Sequence, residues 1–121
     1  MSDNGSTLTR EECINISEGL ARVRDNKTLY KRMLGMFLDS DELTALQAYL
    51  AEKDYEKAGE SAHAIKGMTG NLALTALFTT SARLMDELRE GAASAEAETE
   101  FEAAYKQTKV YVAEVIQELD A

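Results

Sequence analysis

The sequence contains no proline and no tryptophan, and it has a single cysteine and a single histidine. Without proline no helix is forced to kink or end, and seven glycines supply little material for β-turns. The lone cysteine, Cys13, excludes an internal disulfide and a cysteine-based zinc cluster, which agrees with a reducing compartment. Three phenylalanines and five tyrosines are too few for an aromatic surface that stacks single-stranded bases.

Basic residues are also scarce: 13 Lys and Arg stand against 22 Asp and Glu, giving a net charge of -9. This charge would repel a phosphate backbone, so we expect no nucleic-acid partner. No apolar run approaches the roughly 18 residues of a membrane span, and we expect no membrane association. The first residues, MSDNGSTLTREE, have neither the basic start nor the apolar stretch of a signal peptide, so we expect a cytoplasmic protein.

What the chain does contain is typical of one helical domain. Its 121 residues fall within the range of a single core, with 45% hydrophobic and 29% charged residues. Ala, Leu, Glu and Lys dominate, and these residues favour long helices. We therefore predict an all-α fold, with a flexible polar lead-in over residues 1–8 and a helical domain over residues 9–121.

The spacing of apolar and capping residues predicts where the helices begin and end. A start at Asn15 that resembles a capping box predicts a short first helix over about 15–23. Apolar residues then recur every three or four positions, which predicts one long helix over residues 26–52. The alternative is a split at Ser40-Asp41, since both residues prefer N-caps to helix interiors.

Three further helices follow with the same periodicity. Asp54 can cap a helix over about 55–71, and Ser94 can open the last helix. Between them, leucines three and four apart predict a helix from about Leu74 that stops near Gly91. Connections of about 2 to 4 residues favour neighbours that run up and down. We therefore predict an antiparallel up-down four-helix bundle with a short extra N-terminal helix.

The only histidine, His63, lies in the helix predicted over 55–71 and projects from the side opposite its apolar face, so we expect it to face solvent. Four residues at helical-neighbour spacings share this exposed stripe: Gly59, Lys66, Gly67 and Gly70. Each glycine inside a helix costs about 1 kcal/mol relative to alanine. A concentration of glycine around one imidazole therefore requires an explanation.

Two explanations of the glycines stay open. They could let a neighbouring helix pack closely while His63 is only an exposed polar residue, or they could clear space for a partner that brings a reactive group to His63. An accessible imidazole is a nucleophile that can take a phosphoryl group, and Lys66, one turn away, can pair with phosphate oxygens. By itself, an exposed lysine is more often a solubility residue.

The order Ala62-His63-Ala64-Ile65-Lys66-Gly67 resembles the motif of the histidine-containing phosphotransfer (HPt) domains of two-component phosphorelays, typically His-x-Leu-Lys-Gly in a four-helix bundle. The resemblance covers about residues 16–91 and extends to further positions: Gly19-Leu20, Leu29-Tyr30, Phe37, Leu77, Ala82 and Asp86. The last helix matches in pattern only. Ile65 replaces the usual leucine, Ala73 stands where a glycine often follows the motif, and Asp86 stands where glutamate is common.

The resemblance implies a role for three residues of the cluster: His63 would carry the phosphoryl group, Lys66 would stabilise it, and Gly67 would admit the partner. Gly59 and Gly70 share the exposed stripe, and we expect them to serve partner access as well. The chain would accept phosphoryl from an aspartyl phosphate on a receiver domain and pass it to an aspartate on another, and a hybrid histidine kinase is a further candidate partner. It would be a monomeric carrier without autokinase activity or a cofactor of its own, with Mg²⁺ bound by the receiver domain.

Other classes of function stay open. One histidine and five methionines could supply ligands to a haem or another metal in the bundle core, but no C-x-x-C-H sequence occurs and methionines at helical spacing are usually core residues. The chain could also be an adaptor whose His63 is never phosphorylated, or a sink that drains one receiver. The sequence does not determine the cognate kinase, the response regulator or the direction of transfer.

Overall fold

The computed structural model describes residues 8–120, and this part of the chain forms seven helices and no strand. In chain order they are α1 (Arg10–Cys13), α2 (Ile16–Arg22), α3 (Lys27–Leu38), α4 (Glu42–Ala51), α5 (Tyr55–Leu72), α6 (Thr75–Arg89) and α7 (Ala95–Asp120). The predicted all-α class is therefore confirmed. Most of the predicted lead-in, residues 1–7, lies outside the described residues, as does residue 121.

Side-chain caps begin four of these helices at the positions that the sequence predicts. Asn15, Asn26 and Asp54 each accept a hydrogen bond from the backbone N–H three residues later, at 3.1, 3.0 and 3.2 Å. Ser94 Oγ accepts one from the N–H of Ala97 at 3.1 Å. Each bond satisfies one of the N–H groups that have no partner at the start of a helix, so local sequence sets these starts.

The prediction of one long helix over residues 26–52 is wrong, because the segment divides into α3 and α4 at Ser40-Asp41, as the alternative had it. Ser40 Oγ accepts a hydrogen bond from the N–H of Glu42 at 3.2 Å, so its side chain serves the start of α4. The division lets each half pack against a different neighbour. α3 packs mainly against α7, whereas α4 packs against α5.

α5 and α6 run antiparallel, and the other long helices pack in series with them. α5 and α6 form the most extensive pair, with Gly59 opposite Leu88 at one end and Gly70 opposite Phe78 at the other. α6 continues against α7, and α7 packs against α3. α4 contacts α5 while α3 contacts α7, so α3 and α4 together lie between these two helices, and the predicted up-down order of a four-helix bundle stays a prediction. This arrangement leaves one side of α5 in solvent.

Two short helices precede the bundle, where the sequence predicted one. α2 is the predicted helix, and α1 was missed although Thr9 and Glu12 form a capping box. The N–H of Glu12 donates to Thr9 Oγ1 at 3.2 Å, and the N–H of Thr9 donates to Glu12 Oε1 at 2.8 Å. Leu8, the last residue of the predicted lead-in, is half-buried, and its carbonyl accepts a hydrogen bond from the hydroxyl of Tyr111 at 2.9 Å. The packed domain therefore already includes Leu8.

The core is built from aromatic and aliphatic side chains of every long helix. The largest fully buried side chains include Tyr30, Tyr105, Phe37, Phe101, Leu34 and Leu46. The hydroxyl of Tyr30 donates to the carbonyl of Leu72 at 2.9 Å, and burial raises the pKa of this tyrosine to about 12. Because the last carbonyls of a helix have no partner within it, this bond ties the end of α5 to α3.

Candidate functional site

α5 carries the only histidine, and its neighbours fix how it is rotated. One face is buried between α4 and α6 and consists of Ala58, Ser61, Ala62, Ile65, Thr69 and Leu72. Ser61 Oγ also donates a hydrogen bond to Glu42 Oε2 of α4 at 2.7 Å. The helix ends at Leu72, and the following Ala73 has a φ of 58°, a left-handed conformation that glycine adopts with less strain. With this face buried, the opposite stripe of α5 has to lie in solvent.

His63 is exposed on that stripe, as the periodicity predicts. It lines an open groove of about 590 Å³ between α5 and α6. Other residues of the groove are Tyr55, Glu60, Met85, Leu88 and Arg89. The imidazole is therefore reachable from solvent, and the buried side chains of Met85 and Leu88 give the groove an apolar floor.

Lys66 lies one turn after His63 and is half-buried. Its ammonium nitrogen is 5.6 Å from the centroid of the Phe78 ring on α6, a cation–π geometry. None of the ion pairs found among residues 8–120 involves Lys66. The aromatic ring is thus the contact that holds this cation in the structure.

The space around the glycines separates the two explanations left open by the sequence. A Cβ added at Gly67 would meet nothing within 4 Å, so close packing against another helix does not account for this glycine. A Cβ at Gly59 would lie 3.8 Å from Leu88 Cβ, which is an ordinary van der Waals contact. Neither position requires glycine for the fold, and both flank the exposed His63 by one turn.

Gly70 differs from the other two glycines because it has an internal explanation. A Cβ at this position would lie 3.2 Å from Cε1 and 3.3 Å from Cδ1 of Phe78, which is tighter than ordinary packing. The absence of a side chain lets the Phe78 ring approach the backbone of α5. Close helix packing therefore accounts for Gly70 without a partner, and its predicted part in partner access stays a prediction.

The charges around the groove are of both signs. Glu56 and Glu60 lie on the α5 side, and Arg89 lies on the α6 side. Arg89 is 3.6 Å from Asp86, and both side chains are exposed, so solvent screens this pair and it contributes little to stability. The groove therefore presents Arg89 to an anion, whereas Lys66 lies outside its lining.

An apolar surface adjoins the site on the other side of α5. Met33 and Met36 of α3 line a shallow groove of about 200 Å³ with Met68, Asn71 and Leu72 of α5. Met36 is 65% exposed, the largest exposed fraction among the exposed large hydrophobic residues of the described part of the chain. We call Met33, Met36 and Met68 the methionine patch. Flexible, polarizable methionine side chains are common on surfaces that contact partners.

Sequence reasoning found the residues on α5 and missed those contributed by its neighbours. Phe78 and Arg89 lie on α6 and reach the site because the two helices pair antiparallel. The helical period within α6 shows which residues share a face, but it gives no register against α5. The methionines were interpreted as core residues, and their spacing gave no signal that three of them share a surface.

Among residues 8–120 no group of three or more His, Cys, Asp or Glu side chains is arranged to hold a metal ion. No helix in the same part of the chain has the length and the apolar character needed to cross a membrane.

Comparison with known proteins gives one match. The family model described as Hpt domain matches residues 32–121, well over half of the chain. The matched range contains α4 to α7 whole and the cluster of His63, Lys66 and Gly67. Neither the curated proteins nor the solved structures gave a match to this sequence.

Proposed function

This chain belongs to the Hpt domain family, and from that premise we propose that it is a phosphorelay intermediate that carries a phosphoryl group on His63. It accepts the group from an aspartyl phosphate on one receiver domain and donates it to the aspartate of another. The observation that carries the proposal is that the only histidine is exposed one turn from Gly67, and a Cβ added at Gly67 would meet no other atom within 4 Å.

The transfer exchanges one bond to phosphorus for another. A ring nitrogen of neutral His63 attacks the phosphorus, the N–P bond forms while the acyl P–O bond breaks, and the aspartate leaves as a carboxylate. In the onward transfer a carboxylate oxygen attacks and the imidazole leaves. The attacking and leaving atoms must lie in line with phosphorus, so the receiver has to approach the ring from one direction.

Open space at Gly67 supports this approach. The position is exposed and one turn from His63, and a Cβ added there would have no neighbour within 4 Å, so a receiver can come close to the backbone of α5. Gly59 leaves further room on the same stripe, whereas the Phe78 ring takes up the space at Gly70. A helix that keeps glycine where alanine would fit gives up about 1 kcal/mol of stability, which partner access explains.

Lys66 is the cation proposed to stabilise the phosphoryl group. Phosphorylation adds negative charge on a stripe that already contains Glu56 and Glu60. A lysine three residues after the phosphorylated one lies on the same face, where its ammonium can donate hydrogen bonds to the phosphoryl oxygens. It thereby offsets the repulsion that the acidic groove would otherwise create.

The methionine patch is proposed as part of the surface that the receiver covers. It adjoins Gly67 through Met68, and it offers apolar area next to an otherwise charged helix. The receiver would supply the catalytic carboxylates and Mg²⁺, because the transfer requires of this chain only a correctly oriented imidazole at His63. The protein would act in the cytoplasm as a monomeric carrier without autokinase activity, with receivers and a hybrid histidine kinase as partners.

Incubation with a panel of phosphorylated receiver domains tests the function. The wild type should gain a phosphate that is labile in acid and stable in base, as expected of phosphohistidine, and His63→Gln should gain none. Helical circular dichroism of the variant should match the wild type, because the side chain at this position is exposed. Labelling of His63→Gln would contradict the assignment of the site, and receiver binding without labelling of the wild type would indicate an adaptor.

A further inference from the structure

Phe78 is an exposed aromatic residue with two contacts that both involve the site helix. Its ring is 39% exposed, packs against the backbone of Gly70, and lies 5.6 Å from the ammonium nitrogen of Lys66. The first contact depends on the absence of a side chain at Gly70, since a Cβ there would lie 3.2 Å from the ring. Lys66 and Gly70 of α5 and Phe78 of α6 thus form one local unit.

The contact between Lys66 and Phe78 bears on where the ammonium lies along α5. Gly70 lies seven residues after the histidine, which corresponds to about 10 Å along the helix axis. Helical side chains lean toward the N-terminus, so an unconstrained lysine at position 66 would lean toward His63. The Phe78 ring reaches the position of Gly70, four residues after Lys66, so an ammonium held against this ring is drawn toward the C-terminal side of Lys66, and pairing with a phosphoryl group on His63 would take it off the ring.

We propose that Phe78 is a positioning residue, which holds the ammonium of Lys66 on its ring while His63 is unmodified and releases it when His63 is phosphorylated. The inference rests on the proposed function of His63 and Lys66. Release is favourable because a charge-assisted hydrogen bond to a phosphoryl group is stronger than an exposed cation–π contact. The ring therefore stabilises the unmodified protein relative to the phosphorylated one.

Nuclear magnetic resonance of the Lys66 ε-methylene group tests the exchange directly. In the free protein the ring current of Phe78 should shift this resonance upfield, and Phe78→Leu should remove the shift. Phosphoramidate is the phosphodonor: its P–N bond breaks, the N–P bond to His63 forms and ammonia leaves. When His63 is phosphorylated, the Lys66 ε-methylene resonance of the wild type should lose its upfield shift and move to the position observed in Phe78→Leu. Lys109, which lies 5.7 Å from the ring of Tyr105 on α7, should not move.

The equilibrium of phosphoryl exchange with a receiver gives a second readout. Phe78→Leu should shift it about two- to five-fold toward phosphorylated His63, which is the size of an exposed cation–π interaction. Phe78→Tyr keeps the ring and should behave as the wild type. In a Lys66→Ala background the effect of Phe78→Leu should vanish, whereas a purely structural effect of the ring would persist.

The outcomes separate this inference from the function on which it rests. If phosphoramidate labels His63 but the Lys66 resonance stays upfield, or if no upfield shift exists in the free protein, the role of Phe78 is refuted and the function stands. If His63 takes up no phosphoryl group from either phosphoramidate or a receiver, the proposed function fails and the inference fails with it.

Discussion

Replacement of Gly67 gives the sharpest test of the docking surface, because stability and transfer should respond in opposite directions. A Cβ at this position meets nothing within 4 Å, and the residue lies in the middle of α5. Gly67→Ala should therefore stabilise the protein by up to about 1 kcal/mol through helix propensity. For a domain of this size the change corresponds to about 4 °C in Tm, measurable by thermal and urea unfolding.

A longer side chain at the same position should impair transfer without unfolding the protein. In Gly67→Gln the amide would extend from the face that carries His63, one turn away, and would hold a receiver off the imidazole. Small displacements from in-line geometry reduce rates steeply, so transfer from a phosphorylated receiver should fall at least about tenfold. Labelling by phosphoramidate should stay near the wild-type rate, because a small donor does not need the docking surface.

Gly35 offers a matched control within the same bundle. A Cβ added there also meets nothing within 4 Å, and the residue lies inside α3. At 100° per residue it falls on the flank of α3 away from Met33 and Met36. Gly35→Ala should stabilise the fold as Gly67→Ala does, and Gly35→Gln should leave receiver transfer unchanged.

Two results would refute this reasoning. A loss of about 1 to 3 kcal/mol in Gly67→Ala would mean that the position is tightly packed and that close helix contact explains the glycine. A Gly67→Gln protein that accepts phosphoryl from a receiver at the wild-type rate would mean that the partner does not cover this part of α5.

Contacts around Lys66 and Tyr30 give three further predictions. Lys66→Ala should shorten the lifetime of phosphorylated His63 while the free energy of unfolding changes by less than about 0.5 kcal/mol; a large stability loss with unchanged lifetime would make Lys66 structural. Tyr30→Phe should destabilise by about 1 to 2 kcal/mol, because the Leu72 carbonyl loses its donor. Since the pKa of Tyr30 is raised to about 12 from an unfolded value near 10, its contribution is full below about pH 10 and is lost as pH rises toward 12. The stability difference between wild type and variant should therefore shrink over that window in urea unfolding, and a constant difference would contradict it. Gly19→Ala should destabilise by about 1 to 3 kcal/mol, because a Cβ there would overlap the Tyr30 side chain, and an unchanged urea midpoint would show that the ring can move.

The sequence by itself determined the all-α class, most helix starts and the exposure of His63. These features depend on neighbours within one or two helical turns. Asn26, Asp54 and Ser94 cap the residues that directly follow them, and the apolar face of α5 is read from its own period. The capping box of α1 was equally local, so its signal was present in the sequence although the helix was not predicted.

Only the tertiary structure decided features that depend on how two helices are set against each other. The period over residues 26–52 is compatible with one helix or two, and the division at Ser40 follows the packing of α3 on α7 and of α4 on α5. The sequence gives the same interpretation of Gly67 and Gly70. In the structure a side chain at Gly67 would extend into open space, whereas one at Gly70 would meet the Phe78 ring. Register between helices arises from contacts far apart in the chain, and a repeat of 3.6 residues carries no information about it.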